Sequence, residues 1–192
     1  MLVGLLLFLA ALLILDAFRL RKRIAGWHLI PEESREGELP CRVLTAPALE
    51  LDSRDIRRVQ QWMEVERVDA VDLIPWEMDS LQAFSLAMFY DPENYREMPF
   101  QRGRSALHAL VMREEVGAKA RIASGTAANP AVLARATHNA KRFAPRSTEL
   151  AILRPLRGQE EALAWRRQVM KEAFGGEATT LFYGGPVIYL LI

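Results

Sequence analysis

Residues 1–23 of the chain are MLVGLLLFLAALLILDAFRLRKR, an apolar run followed at once by a basic cluster. The run from Met1 to Phe18 contains a single charged residue, Asp16, whereas Arg19 to Arg23 contain four positive charges. A helix rises about 1.5 Å per residue, so Met1 to Leu15 spans roughly 22 Å, and the residues up to Phe18 extend it towards the roughly 30 Å of a bilayer core. The segment predicts a single transmembrane helix.

The order of the charges predicts the orientation of this helix. Because the basic cluster follows the apolar run, the positive-inside rule places the N-terminus outside and the rest of the chain in the cytoplasm, at the inner membrane of a bacterial cell. We expect four basic residues and a nearby aromatic residue to lie at the membrane surface, with their long side chains reaching the headgroups: Arg19, Arg21, Lys22, Arg23 and Trp27.

Two other interpretations of the N-terminal segment are less favoured. A cleavable signal peptide has its positive charges before the apolar core and a small-x-small cleavage site after it, whereas here no Lys or Arg precedes the run and residues 15–18 (LDAF) form a poor cleavage site. A buried core helix is usually amphipathic, whereas this one is apolar on all sides.

The remaining sequence predicts a linker over residues 24–40 and one soluble domain over residues 41–192, after the anchor at residues 1–23. The linker contains Pro31, a charged stretch from Glu32 to Glu38 and Pro40. This composition favours a solvated, extended segment, with a docked strand as the alternative. The domain is close to the usual size of one compact folding unit.

Short apolar runs alternate with helical periods after Pro40, which predicts an α/β or α+β domain with about five strands and four helices around one sheet, parallel or mixed. Asp52 or Ser53 and Asn129 are suitable helix N-caps, and Pro130 fits a first turn. Strands are predicted at residues 42–46, 68–74, 106–112, 148–153 and within 178–192; helices at 54–66, after Asp79, from 130 to before Pro145, and at 158–174.

Composition excludes several classes of function. The formal charge is +1, with 25 basic and 24 acidic residues, so we expect no nucleic-acid partner. The single cysteine, Cys41, rules out an internal disulfide and a multi-thiolate metal site within the chain.

Neither a P-loop nor a Gly-x-Gly-x-x-Gly motif occurs, so no nucleotide cofactor is predicted. The small, polar segment 117–129 would need a strand before it and a helix after it to bind an anion, and a plain loop is favoured.

Side chains with catalytic chemistry are few and isolated. No histidine lies at a short metal-ligand spacing from another ligand, so no metal site is predicted. His108 lies in an apolar strand, where a buried neutral imidazole is the favoured interpretation, and His138 lies on a helix and should be exposed.

Asp69 and Asp72 bracket two residues of a strand, so they point to opposite faces; two solvated carboxylates are favoured over a shared metal. Nothing marks Cys41 as an activated nucleophile.

The most distinctive internal stretch runs from Asp91 to Arg104 and has no clear period. Long structured loops often carry function, and aromatic residues combined with arginines are typical of protein interfaces. We therefore expect an interface formed by Tyr90, Tyr95, Arg96, Phe100, Arg102 and Arg104. If this loop faces the bilayer, the same arginines would contact anionic lipid headgroups.

Two functions follow as expectations. The first is a non-catalytic accessory or assembly subunit, tethered by one helix beside a larger integral membrane complex involved in transport, photosynthesis or respiration, and needing no cofactor. The alternative is a membrane-tethered, transferase-like enzyme acting on a lipid-linked or nucleotide-linked substrate. The enzyme requires Asp69 or Asp72, His108 and an arginine of the 91–104 loop to meet in one cleft.

Overall fold

The part of the chain that the structure describes forms a mixed six-stranded sheet with helices packed against it. The structure is a computed structural model that describes residues 2–32, 39–47, 49, 51–75, 83, 87, 108–144 and 148–154. The helices are α1 (Leu2–Ala25), α2 (Ser53–Val65), α3 (Glu114–Ala120) and α4 (Pro130–Phe143). The strands are β1 (His28–Leu29), β2 (Cys41–Thr45), β3 (Ala70–Pro75), β4 (Ala109–Arg113), β5 (Gly125–Thr126) and β6 (Thr148–Leu153).

The strand order is β1-β6-β3-β4-β2-β5, which places β3 near the centre. β3 is parallel to β6 and antiparallel to β4, and β4 is also antiparallel to β2. The short edge strands β1 and β5 pair in parallel with β6 and β2. The predicted α/β class is confirmed, and of the two predicted sheet types the mixed one is present. The helices predicted after Asp79 and at 158–174, and the strand within 178–192, lie outside the described residues, apart from residues 83 and 87.

Both predicted helix caps are present. The Asp52 side chain accepts a hydrogen bond from the backbone N of Asp55 at 2.7 Å at the start of α2. The Asn129 side chain accepts one from the backbone N of Val132 at 3.0 Å at the start of α4, where Pro130 occupies the first turn. Each cap satisfies an amide that the first helical turn leaves without an intrahelical acceptor.

The strand register divides the sheet into two faces. Asp72 lies opposite Leu110 of β4 and Leu150 of β6, so these three side chains point to the same face. Leu44 and Arg42 of β2 extend this face through their partners Leu110 and Met112. We call it the Asp72 face. The opposite face carries Val71, Val111 and Cys41, among others.

Helix α3 covers the β2 end of the Asp72 face, because the side chain of Arg42 reaches it. The Arg42 Nε and Nη2 donate to Glu114 Oε1 at 2.9 and 2.5 Å, and Nη1 donates to the Ile122 carbonyl at 2.6 Å. A Cβ on Gly117 would lie 2.5 Å from the Arg42 Cδ, so a glycine there allows the guanidinium to pass under the helix. Helix α4 packs against α3 and contacts β3 and β4.

Several of the described apolar side chains of α1 are exposed. Leu7, Phe8, Leu15 and Phe18 are 60–67 % exposed, whereas Leu20 in the last part of the helix is buried. Within the part of the chain that the structure describes, no helix combines the length and the apolar composition that crossing a bilayer requires.

The segment after α1 joins the sheet almost at once. Gly26 and Trp27 donate backbone hydrogen bonds to carbonyls of the last turn of α1, and His28 and Leu29 then pair with Ala151 and Ile152 of β6. Ile30 is buried, and its backbone N donates to the Ile152 carbonyl at 2.9 Å. Residues 28–30 of the predicted linker 24–40 are therefore docked on the sheet, which corresponds to the alternative of a docked strand. Residues 33–38 of the linker lie outside the described residues.

Arg58 of α2 connects this segment to the rest of the domain. It is 4 % exposed, and its Nε donates to the Pro31 carbonyl at 2.9 Å while Nη2 donates to the Ile30 carbonyl at 3.4 Å. Its Nη1 donates to the Arg154 carbonyl, directly after β6, and to Asp55 Oδ1 at 3.1 Å. Burial raises the pKa of the Asp55 carboxyl and Asp52 adds to this, while Arg58 opposes the shift. Four hydrogen bonds from one guanidinium thus join α2, β1 and β6.

We predict that Arg58→Met destabilises the full-length chain by about 3–5 kcal/mol, because it leaves Asp55 and three carbonyls without their donor. Arg58→Lys should recover only part of this loss, since an ammonium cannot reproduce the planar fork. Arg57→Met, on the exposed neighbour, is the matched control. Thermal unfolding of the chain in mild detergent, followed by circular dichroism, measures the effect; equal midpoints for the Arg58→Met and Arg57→Met variants would contradict it.

Candidate functional site

Asp72 is the most unusual polar residue of the sheet. It is 0 % exposed and lies in the third position of the central strand β3, so the expectation of a solvated carboxylate at an edge or loop is wrong for this residue. Its lateral neighbours on the same face are the apolar Leu110 and Leu150. A carboxylate in such surroundings is stable only with polar partners or in its protonated form.

His108 lies on the same face as Asp72. It precedes β4, and its carbonyl accepts a hydrogen bond from the backbone N of Ala46 at 2.8 Å, which continues the β2–β4 ladder by one step. His108 is therefore two residues from Leu110, the lateral partner of Asp72, and forms a diagonal cross-strand pair with Asp72 at a Cα separation of about 7–8 Å. At 4 % exposure it is buried, as predicted.

Asp69 does not join this pair. Its carboxylate lies 3.4 Å from the Nε of Arg113, and the backbone N of Arg113 donates to its carbonyl. Arg113 points away from the Asp72 face, because the side chains of Met112 and Arg113 alternate along β4. The two aspartates thus lie on opposite faces, as the spacing predicted. Among the described residues, no three His, Cys, Asp or Glu side chains are grouped as a metal site would require.

Two further polar side chains are buried, one in the sheet and one on α4. Thr148 of β6 pairs with Ala70 on the Asp72 face, and its Oγ1 has no hydrogen-bond partner among the described residues. Thr137 of α4 is fully buried and donates to the Leu133 carbonyl at 3.1 Å. The neighbouring His138 is half-buried rather than exposed, and its buried Nδ1 lacks a partner within the same described set.

Asp72 and His108 therefore form a polar pair on one sheet face, which we call the Asp72 cluster. Thr148 lies on the same face but at the other end of β3, level with Ala70. His108 lies on the side of Asp72 where β2 and β3 end, and open α/β sheets bind ligands beyond the carboxyl ends of their strands. Carboxylates and imidazoles are the side chains that most often act as general acids and bases in enzymes. In the sequence, Asp72 lies inside the apolar run 70–74, and such a run is typical of a strand buried on both faces. A charged residue within this run is the sequence feature that indicates a buried polar group.

Cys41 is not an activated nucleophile. It is half-buried at the start of β2, and burial raises the pKa of its thiol to about 11, against the lowering effects of Arg113 and Gln60. At neutral pH the side chain is a protonated thiol, and only a thiolate attacks efficiently.

The five residues predicted to lie at the membrane surface divide into two groups. Arg19, Arg21 and Lys22 are exposed. Arg23 is half-buried, and its Nη1 donates to the Ala87 carbonyl at 3.0 Å. Trp27 is 6 % exposed, and its buried Nε1 has no hydrogen-bond partner in the described part of the chain, so little of its ring is left to reach a headgroup layer.

The predicted interface residues Tyr90, Tyr95, Arg96, Phe100, Arg102 and Arg104 all lie outside the described residues, and that interface stays a prediction. They belong to the connection between β3 and β4. One described residue of this connection, Ala87, contacts the last turn of α1 through Arg23. Part of the connection thus lies next to the end of α1.

Comparison of the chain with models of known protein families, with curated proteins and with solved structures finds no match.

Proposed function

We propose that the protein is a membrane-tethered accessory or assembly subunit, held in the inner membrane by α1 with its α/β domain in the cytoplasm beside a larger integral membrane complex. The observation that carries this proposal is the exposed apolar surface of α1, followed directly by exposed basic residues. Burying a Leu or Phe side chain is worth about 1.5–3 kcal/mol, so a helix that exposes several of them is stable only when lipid or protein covers it.

The distribution of apolar residues around α1 favours insertion across the bilayer over binding in its plane. Successive residues turn by about 100°, so Leu12, Leu13, Ile14 and Leu15 point to all sides of the helix. An in-plane helix would instead have one charged face. The finding that no helix combines the length and composition for crossing a bilayer concerns the described residues only. The apolar run in the sequence begins at Met1, and the side chains of six of its first nine residues are not among those described.

The docked segment after α1 supports a role in positioning. Only Gly26 and Trp27 separate α1 from β1, which pairs with β6. The carbonyls of Ile30 and Pro31, directly after β1, accept hydrogen bonds from Arg58. A domain joined this closely to its tether presents a defined side to its neighbours in the membrane. Ala87, in the connection between β3 and β4, contacts the end of α1 through Arg23. The aromatic and arginine composition of residues 90–104, in the same connection, is typical of a protein interface.

This proposal predicts that an integral membrane protein co-purifies with the full-length chain in mild detergent, and that Arg96→Glu combined with Arg102→Glu removes it. Charge reversal places carboxylates where the proposed interface has guanidinium groups. Arg135→Glu, on the exposed side of α4, is the control and should retain the partner. Quantitative mass spectrometry of the eluted proteins measures the outcome. The proposal would be contradicted if the wild-type chain eluted alone as a monomer. It would also be contradicted if both variants retained the partner equally.

A second candidate function, a tethered transferase-like enzyme acting on a nucleotide-linked or lipid-linked substrate, is favoured by the Asp72 cluster alone. Two of the residue types that this hypothesis requires, Asp72 and His108, share one face of the sheet. The arginines that it also requires lie outside the described residues.

The enzyme hypothesis predicts that a nucleoside diphosphate raises the melting temperature of the full-length chain and that His108→Gln abolishes this rise. Bound ligand stabilises only the folded state. UDP, CDP, GDP and ADP are the probes, and Cys41→Ser is the control variant because it lies on the other face. No shift with any of the four, in a chain that unfolds cooperatively, would count against an enzyme that uses a nucleotide-linked substrate.

A further inference from the structure

The exposed cations at the end of α1 form a compact group. Arg19, Arg21 and Lys22 are exposed and lie within about 4.5 Å along the helix axis at about 1.5 Å per residue. At about 100° per residue they point to three different sides of the helix. We call these three residues the basic collar. The height of the collar fits within one headgroup layer, which is roughly 5–8 Å thick on each side of a bilayer.

The collar borders directly on apolar surface. Leu15 and Phe18, which are 65 % and 66 % exposed, lie four residues and one residue before Arg19. The only acidic residue nearby on the helix is Asp16, whose Oδ1 lies 4.0 Å from the Arg19 Nη1, and the guanidinium remains largely exposed. Exposed ion pairs of this kind are weak, so Arg19 remains able to bind another anion.

The neighbouring cation and tryptophan are occupied by the protein. Arg23 donates to the Ala87 carbonyl, and Trp27 is buried in the turn before β1. The three collar residues therefore carry the positive charge that faces outward at this level of the helix. No acidic residue lies between positions 19 and 23 to neutralise it.

We propose that the basic collar binds the phosphate groups of anionic phospholipids at the cytoplasmic surface. The proposal rests on the proposed membrane tether and specifies its lipid partner. Acyl chains would cover Leu15 and Phe18 while the headgroup phosphates accept hydrogen bonds from Arg19, Arg21 and Lys22. Each basic residue at an anionic membrane surface increases binding about fivefold, so the three together favour anionic over neutral lipid by on the order of a hundredfold at low salt.

Native mass spectrometry of the full-length chain in detergent tests this inference, with phosphatidylglycerol and phosphatidylcholine titrated separately. We expect tighter binding of phosphatidylglycerol by the wild type, weakening as salt is raised. The Arg19→Gln, Arg21→Gln, Lys22→Gln triple variant should bind the two lipids nearly equally. The matched control, Arg54→Gln, Arg57→Gln, Arg135→Gln, removes the same charge from exposed sites on α2 and α4 and should retain the preference.

The outcomes separate this inference from the membrane tether itself. Resistance of the wild-type chain to alkaline extraction from membranes reports the tether, which the collar variant should retain. An unchanged lipid preference in the collar variant, or an equal loss in the control, would overturn the inference while leaving the tether intact. Displacement of the lipid by inorganic phosphate at equal concentration would show a general phosphate site and would also overturn it. Extraction of the wild type by alkali would refute the tether.

Discussion

The buried guanidinium of Arg58 joins three segments that are distant in the sequence. Its hydrogen bonds hold the chain after α1, the start of α2 and the residue after β6 together. β1 has only two residues and lies at the edge of the sheet, so its own pairing with β6 is weak support for a tether. Without Arg58, the carbonyls of Ile30 and Pro31 would lose their donor, and the connection between α1 and the domain would loosen first.

The position of β3 explains the second unusual feature. Its neighbours are β6 on one side and β4 on the other, and helices α3 and α4 lie over the face to which Asp72 points. A strand with this position is buried on both faces, so any polar residue in it is removed from water. A Leu or Val there would pack without the desolvation cost of a carboxylate, so Asp72 is stable at this position only with polar partners or in its protonated form.

Local signals were sufficient to predict much of this fold. The caps at Asp52 and Asn129 and the strand at residues 148–153 follow from nearby residues alone, and so does the burial of His108. The docking of Ile30 and the burial of Asp72 depend on which strand lies next to which, and periodicity carries no such information. The Arg58 contacts are of the same kind, since its acceptors lie 27 and 96 residues away. The predicted 90–104 interface lies outside the described residues.

The claim that α1 and the domain form one unit is tested most directly by a distance measurement between them. Spin labels at Phe18→Cys and Arg57→Cys, in a Cys41→Ser chain reconstituted into lipid nanodiscs, place one probe on α1 and one on the exposed side of α2. Pulsed electron–electron double resonance should give a single narrow distance distribution, because only Gly26 and Trp27 separate α1 from the paired strand. A broad distribution, typical of a domain on a flexible linker, would contradict the account.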